Sequence, residues 1–429
     1  MGRTVVIGGG IIGLLAALEL RRRGEEVVLI DRGEPGAACS RGNLGWIVPS
    51  MSEPLPSPGL LSSMIRSTLH GEGLLSIHPP AIPSLLGWLW RFWRHCNRDD
   101  YERGLIALAA LNRETFSLFN ALAEDGVGFE MHRSRILLVA FDPKELDEIE
   151  RNSPLLARCG VTMPERLSAA DTRAFEPALA PGIAGGLLYP DERHVRPDTL
   201  CAGVLEKIAA SGVEVRAGCE ARSIRRSGSV VAAVVTDGGT IEADRFLIAA
   251  GAWSGRLAGA FGLDLPVQAG KGYSLTLGTT GDTIRTPLYL QEGHVGLSPY
   301  DGGLRLGGVI ELSGINTRIV PRRLDSIWRV ARRYLPGLNI GEGGIEWTGM
   351  RPVSPDGVPV IGRAPLLENL FIATGHAMLG VTLAPATARV ITDQMLDGKS
   401  AIDMAPFDPA RFQPRRLWSS AGWRQRGGR

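Results

Sequence analysis

The chain has few cysteines, and those it has are not placed to act together. Cys39, Cys96, Cys159, Cys201 and Cys219 are scattered through 429 residues, odd in number and without a C-x-x-C pair. That argues against a disulfide framework and against zinc or iron–sulfur ligation, so no metal is expected. A reducing, cytoplasmic compartment fits best. No uninterrupted run of about 18 apolar residues occurs, so no transmembrane helix is expected. The apolar N-terminal stretch is broken by Gly8, Gly9, Gly10 and Gly13 and reads as a strand and turn, a poor signal peptide. A basic stripe with interleaved aromatics is also missing, which excludes a nucleic-acid groove. The formal charge of +2 comes from Arg411, Arg415, Arg416, Arg424, Arg426 and Arg429, which follow Asp408 with no acid among them. They read as a solvated or partner-contacting tail on a slightly acidic body.

With 44% hydrophobic and 21% charged residues and 55 glycines, the chain has a globular composition rich in tight turns. Its length suits two interleaved domains. Thr4 to Ile7 reads as a buried strand, Ile11 to Arg23 as a helix stopped at Gly24, and Val27 to Ile30 as a second buried strand closed by Asp31. Residues 36 to 58 form a long Gly, Ser and Pro-rich loop, of the kind that carries function. Helical patterns such as Leu105 to Leu122 dominate from about 60 to 190, followed by a strand over Ile136 to Ala140. Near Pro197 the first pattern resumes, with a helix, a strand over Val213 to Val215 and a hairpin from Ser223 to Val235 returning near Ile241. Those strands read as insertions and continuation of the nucleotide-binding sheet. The strand Phe246 to Ala250 follows, then alternating strands from about 263 to 345, then the strand Leu370 to Ala373 and a helix from Gly380 to Leu396. The division expected is 1–58, 190–262 and 346–400 for one domain, 59–189 and 263–345 for the other, and 401–429 for the basic tail. The fold class expected is α/β. No internal repeat is evident.

Gly8, Gly10 and Gly13 form G-x-G-x-x-G between strand and helix, with Ile11 and Ile12 at the helix start. The first glycine permits the turn, the second lets a pyrophosphate approach the backbone and the third lets helix and strand pack. Phosphate charge then meets the positive helix N-terminus. Asp31, at the end of the next strand, suits a ribose without a 2′-phosphate. The nucleotide-binding pattern recurs after 190 and again after 345, which favours a long, tightly held dinucleotide, FAD, over NAD.

Ala37-Ala38-Cys39-Ser40-Arg41-Gly42-Asn43-Leu44-Gly45, the later Gly349-Met350-Arg351-Pro352 and Ala373-Thr374-Gly375-His376 resemble the FAD-dependent D-amino acid oxidase and dehydrogenase superfamily, nearest to its bacterial D-amino acid and D-hydroxyproline dehydrogenases. The resemblance covers residue 4 to about 400. It implies a glutathione-reductase-like FAD domain and an interleaved α+β substrate domain with a largely antiparallel sheet. It also implies FAD contacts by Gly8, Gly10, Gly13, Asp31 and Arg32. Further contacts are implied for Ser40, Gly42, Asn43, Leu44 and Gly45, and for Ala221, Ala250, Gly251 and Trp253. Gly375, Gly380, Val381, Thr382 and Leu383 match the segment over the flavin. Ala249-Ala250-Gly251 departs from the family's Ala-Thr-Gly at little cost, because the backbone makes the contact. Residues 36 to 58 lack histidine and no cysteine follows 219, so a noncovalent flavin is expected.

The activity implied is oxidative deamination of a D-amino acid, or of a D-proline-like imino acid, by hydride transfer to flavin N5. An alternative is the flavoprotein subunit of a hetero-oligomeric hydroxyproline or sarcosine-type dehydrogenase. Arg351 is the expected carboxylate anchor, since a guanidinium fork grips a carboxylate with two parallel bonds. The helix starting at Gly380-Val381-Thr382 can stabilise negative charge on reduced flavin. His376 is expected at the substrate or flavin, against an equal reading as packing. Tyr273 is a candidate pocket wall, although an ordinary strand aromatic is the preferred reading. Trp88, Trp90, Phe92 and Trp93, between Arg91, Arg94 and His95, read as a core helix with flanking charges or as a helix on the inner face of a membrane. Electrons would pass to a quinone, a partner subunit or oxygen.

Overall fold

The computed structural model describes residues 2–60, 75–278, 284–338 and 344–413. Val5, Val6, Val28, Leu29 and Ile30 are all fully buried, so strands Arg3–Ile7 and Glu26–Ile30 are covered on both faces, as a parallel sheet requires. Arg3–Ile7 pairs in parallel with Glu26–Ile30 on one side and with Arg245–Ile248 on the other. The six-stranded order is Glu214–Arg216, Glu26–Ile30, Arg3–Ile7, Arg245–Ile248, Leu370–Thr374 and Val360–Arg363, the last antiparallel. Helices Ile11–Arg22, Pro197–Ala210 and Gly380–Asp397 share a core on one face. Strands Ala221–Ser227, Val230–Thr236 and Gly239–Glu242 form an antiparallel sheet of their own. They do not continue the nucleotide-binding sheet: Val231, Val234 and Ile241 pack against its other face, on Val5, Ile7 and Val28.

The second sheet has nine strands and is largely antiparallel. Its order runs from Ile345–Val353 through Gln268–Gly278, Gly303–Leu312, Val295–Tyr300 and Leu288–Leu290 to Ile136–Ala140, Gly185–Tyr189 and Glu165–Ser168, with Leu75–Ile77 beside Gly303–Leu312. The fold is therefore α/β, with a parallel dinucleotide-type sheet and an interleaved α+β lobe. The division expected at 345/346 falls at the start of a strand of the larger sheet: Ile345–Val353 pairs along its length with Gln268–Gly278. Arg351 is thus carried by the antiparallel sheet. A small sheet of Trp46–Ile47, Arg193–Val195 and Met131–His132 links the loop after residue 36 to the second lobe.

Two further expectations change. Leu105 to Leu122 is split between helices Arg98–Asn112 and Thr115–Glu124, and at the break Thr115 Oγ1 hydrogen-bonds Asn112 Oδ1 at 3.2 Å. Helix Ile82–Arg94 buries Leu85, Trp88 and Phe92, yet Leu86, Trp90 and Trp93 are more than half exposed, so its outer face is apolar as well. No helix of the described residues is long and apolar enough to cross a membrane.

Arg411 does not belong to a solvated tail. Its Nε donates to Asp356 Oδ2 at 2.7 Å and its Nη2 to the Val358 carbonyl at 2.8 Å, with both partners of the ion pair about 85% buried. Nearby Phe407 is fully buried in the core of the first lobe. The other five arginines lie outside the described residues. Removing one partner of a buried ion pair leaves the other charge unpaired, so Arg411→Ala is expected to destabilise the fold by about 3 kcal/mol. A thermal midpoint equal to that of the unsubstituted protein would return Arg411 to the solvated tail.

Candidate functional site

Each glycine of G-x-G-x-x-G has its own steric reason. Gly8 sits at φ +112°, where an added Cβ would lie 2.5 Å from the Ala249 carbonyl oxygen. At Gly13 a Cβ would lie 1.9 Å from the Gly8 oxygen, so helix and strand could not close. A Cβ at Gly10 would meet only Ser40 Oγ, at 3.4 Å, because Gly10 faces open space. Gly10 caps helix Ile11–Arg22, which has no acid in its first turn, and its amides are left for a ligand apart from Ile11 N–H, which Ser40 Oγ accepts at 2.9 Å. Asp31 accepts from Gly9 N–H at 2.7 Å and Gly33 N–H at 2.8 Å. One lone pair on each oxygen stays free for ribose hydroxyls. Arg32 stacks over Trp253 at 4.1 Å.

These groups open on a cavity of about 1200 Å³ between the two sheets. Every site residue expected from sequence borders it except Gly13, Gly375, Thr382 and Leu383. Gly13 acts beneath the helix. Gly375 turns the chain at φ +79° behind Val360 and Ser354, and Leu383 is fully buried core. Thr382 Oγ1 donates to the Trp46 carbonyl at 2.9 Å and accepts from Val48 N–H at 3.1 Å, tying the loop to helix Gly380–Asp397. That helix has no side-chain cap and no acid in its first turn, and Leu379, Gly380 and Val381 border the cavity. The cavity exceeds the roughly 300–1,000 Å³ that a drug-sized ligand occupies. A Cβ-free approach at Gly10, uncapped helix amides at both N-termini and the Asp31 carboxylate fit FAD, with space left for a small substrate. Cys39 also borders the cavity, and burial raises its thiol pKa despite nearby Arg351.

The loop after Gly36 is clamped between the lobes. Ser274 Oγ donates to the Gly42 carbonyl at 2.7 Å, Arg305 Nη1 to the Asn43 carbonyl at 2.9 Å, and Ser298 and Tyr300 hydroxyls to the Leu44 carbonyl at 2.8 Å each. Glycines flatten the sheet face opposite. A Cβ at Gly42 or Gly349 would lie 2.1 or 2.0 Å from the Trp347 ring, and one at Gly272 would lie 2.0 Å from Arg351 Nη1.

Arg351 is the charge on that face that borders the cavity, since Arg305 on the same sheet is taken up by Thr276 and the Asn43 carbonyl. Its Nη1 donates to the Val309 carbonyl at 2.9 Å, and no carboxylate stands among its electrostatic neighbours. Burial lowers its pKa, while Cys39 and Tyr289 act in the opposite sense. A guanidinium stays charged regardless, so the site holds a partly desolvated cation without a counter-ion among the described residues.

His376 and Tyr273 do not join it as proton-handling groups. His376 is 2% exposed, bonded through Nε2 to Thr387 Oγ1 at 3.0 Å, and burial lowers its pKa to about 3, which keeps the ring neutral. Tyr273 follows Gly272 on the opposite parity of the strand. Its ring lies in the core shared with Leu275 and Ile327, and its hydroxyl points to Glu311 at 3.5 Å, a carboxylate held by Arg323 Nε at 3.0 Å. Residues that sequence reasoning missed include Trp347, Glu53, Tyr189 and Tyr289, all bordering the cavity. Trp347 was within reach, since Trp347-x-Gly349-x-Arg351 puts all three on one strand face. The other three carry no motif.

Residues 3–394 match the family model described as FAD dependent oxidoreductase. A D-amino acid dehydrogenase of Vibrio cholerae serotype O1 is 31% identical over 421 residues, covering 96% of this chain and 99% of that protein. Among solved structures, glycine oxidase from Geobacillus kaustophilus superposes with a TM-score of 0.77 at 24% identity, covering 96% of this chain and all of that one. The L-alpha-glycerophosphate oxidase of Mycoplasma pneumoniae with FAD bound gives 0.71 at 20% identity over 94% and 96% of the two chains. At those identities the two structures establish the fold.

Gly272→Ala places a methyl group where the Arg351 guanidinium now lies. It is expected to weaken binding of a small carboxylate ligand roughly tenfold, about one charge-assisted hydrogen bond, while FAD content by absorbance is unchanged. Undiminished carboxylate binding in that variant would show that Gly272 does not set the position of Arg351.

Proposed function

This chain belongs to the FAD dependent oxidoreductase family, and from that premise we propose that it oxidatively deaminates a D-amino acid or a D-proline-like imino acid. FAD is its cofactor and an amino acid oxidoreductase is its class. The finer reading rests on one observation above the others: the guanidinium of half-buried Arg351 faces the cavity with no carboxylate partner among the described residues. A substrate α-carboxylate completes that charge. The D-configuration is supported by the extended similarity to a D-amino acid dehydrogenase. In this reading the six-stranded lobe holds FAD and the nine-stranded sheet covers the substrate.

Bound FAD would supply the two-electron acceptor for the α-hydrogen of a neutral amine, whose nitrogen would give up a proton and leave an imine that water hydrolyses to a keto acid, with ammonia released only from a primary amine. Everything else is orientation and electrostatics. Arg351 fixes the carboxylate and so selects the face of the α-carbon that meets the cofactor. The uncapped N-terminus of helix Gly380–Asp397 aims its positive dipole end into the cavity, where negative charge is favoured. The clamped loop and the glycine-flattened sheet exclude bulk water. His376 braces that helix through Thr387 and, being neutral, exchanges no proton. No side-chain base is needed when the amine arrives unprotonated.

The exposed apolar face of helix Ile82–Arg94 favours a second element, docking on the inner face of a membrane or on a partner subunit. Electrons would leave there to a quinone or to a partner subunit, the latter if this chain is the flavoprotein subunit of a hydroxyproline or sarcosine-type dehydrogenase. Anaerobic mixing of the FAD-loaded protein with a panel of D-, L- and N-methyl amino acids tests the reading. D-amino or D-imino acids are expected to bleach the flavin. Bleaching by L-amino acids alone would contradict the stereochemistry, and bleaching by none would contradict the activity.

A further inference from the structure

Beyond Arg351 the cavity continues toward helix Pro143–Arg158, and its charge changes sign. Glu53, Glu145, Glu148 and Glu292 all border it. Glu145 and Glu148 are one helical turn apart and share a face. Glu53 Oε2 accepts from the Tyr101 hydroxyl at 2.6 Å, and Glu145 Oε2 from Gln291 Nε2 at 3.1 Å, so both carboxylates are held in place by neutral donors. Glu292 takes the amides of Phe141 and Asp142 on one oxygen, and its other oxygen has no partner among the described residues. Tyr189 borders the same space. It is 5% exposed, and its hydroxyl has no hydrogen-bond partner among the described residues. Tyr289, bonded to the neutral ring of His294 at 3.1 Å, is within electrostatic reach of both Glu53 and Arg351, so the two poles belong to one space.

We propose that this end of the cavity selects amino acids whose side chain terminates in a cation, an ammonium or guanidinium, received by Glu53 and Glu145 while Arg351 holds the α-carboxylate. The inference rests on the proposed function for the Arg351 end and adds the identity of the side chain. Among the described residues bordering this end, Arg351 is the one cation. The other arginines bordering the cavity, Arg32, Arg222 and Arg256, accompany Asp31, Ala221 and Trp253 at the nucleotide end. When a substrate carboxylate takes Arg351, the glutamates are left without counter-charge. A neutral side chain leaves them so, an acidic one adds repulsion, and a basic one closes the balance. Burial raises the Glu53 pKa, an unfavourable state for a carboxylate that a bound cation would relieve. The free Tyr189 hydroxyl offers an acceptor lone pair to the same terminal N–H groups.

The test compares charged side chains with neutral ones of the same shape on the FAD-loaded protein, D-arginine against D-citrulline and D-lysine against D-norleucine. Binding is read from perturbation of the flavin spectrum and oxidation from anaerobic bleaching. Each cationic ligand is expected to bind roughly tenfold or more tightly than its neutral counterpart, the value of a charge-assisted hydrogen bond. Glu145→Gln, on a partly exposed helix face, and Glu53→Gln should each narrow that ratio. Equal or tighter binding of D-citrulline and D-norleucine overturns the proposal, as does an unchanged ratio in both variants. If the cationic ligands bind preferentially without bleaching the flavin, the charge selection stands and the oxidation reading fails.

Discussion

A guanidinium partly withdrawn from water with no carboxylate beside it gains from any anion that completes it, and among the described residues Arg351 is in that condition. Strand Ile345–Val353 places it on the cavity face, Gly272 leaves the space that its head group fills, and the Val309 carbonyl takes one of its hydrogens. Fixing it by a carbonyl preserves its full charge for a ligand. Carboxylates are plentiful around the cavity, but among the described residues none stands beside it. In the proposed reading that separation matters, because an internal salt bridge would occupy the charge that a substrate carboxylate is to meet.

In the proposed reading the rest of the architecture brings that charge against the dinucleotide. The parallel sheet supplies two helix N-termini and Asp31, the antiparallel sheet supplies Arg351, and the loop from Ser40 to Val48 ties one to the other. Its carbonyls are held by Ser274, Arg305, Ser298 and Tyr300 from the second lobe and by Thr382 from the first. Backbone atoms make these contacts, so side-chain identity is constrained chiefly where a Cβ would collide, as at Gly42 beneath Trp347.

The sequence was most readable where one local pattern carried its own geometry. G-x-G-x-x-G followed by an acid reads as a strand, turn and helix because each glycine answers a separate steric demand. Arg351 was singled out by the fork chemistry of its guanidinium and by the resemblance carried by Gly349-Met350-Arg351-Pro352, and it does border the cavity. Tyr273 was less so, because its role turns on strand parity: with Gly272 facing the cavity, Tyr273 must face the core. The boundary at 345 was misplaced because an edge strand with Thr, Gly and Pro in it looks like a linker until its register is known. Glu53, Tyr189 and Tyr289 come from three distant segments, and only tertiary pairing brings them to one wall. Arg411 was misread through its neighbours, since one arginine of six folds back onto Asp356.

The central claim is that Arg351 is an anchor for a carboxylate and not a structural cation. The most direct measurement is a crystal structure of the FAD-loaded protein with benzoate, a carboxylate that the cofactor cannot oxidise. The account predicts both carboxylate oxygens on the Arg351 guanidinium and the bond to Val309 retained. Benzoate bound elsewhere in the cavity, with Arg351 paired to a protein carboxylate, would contradict it.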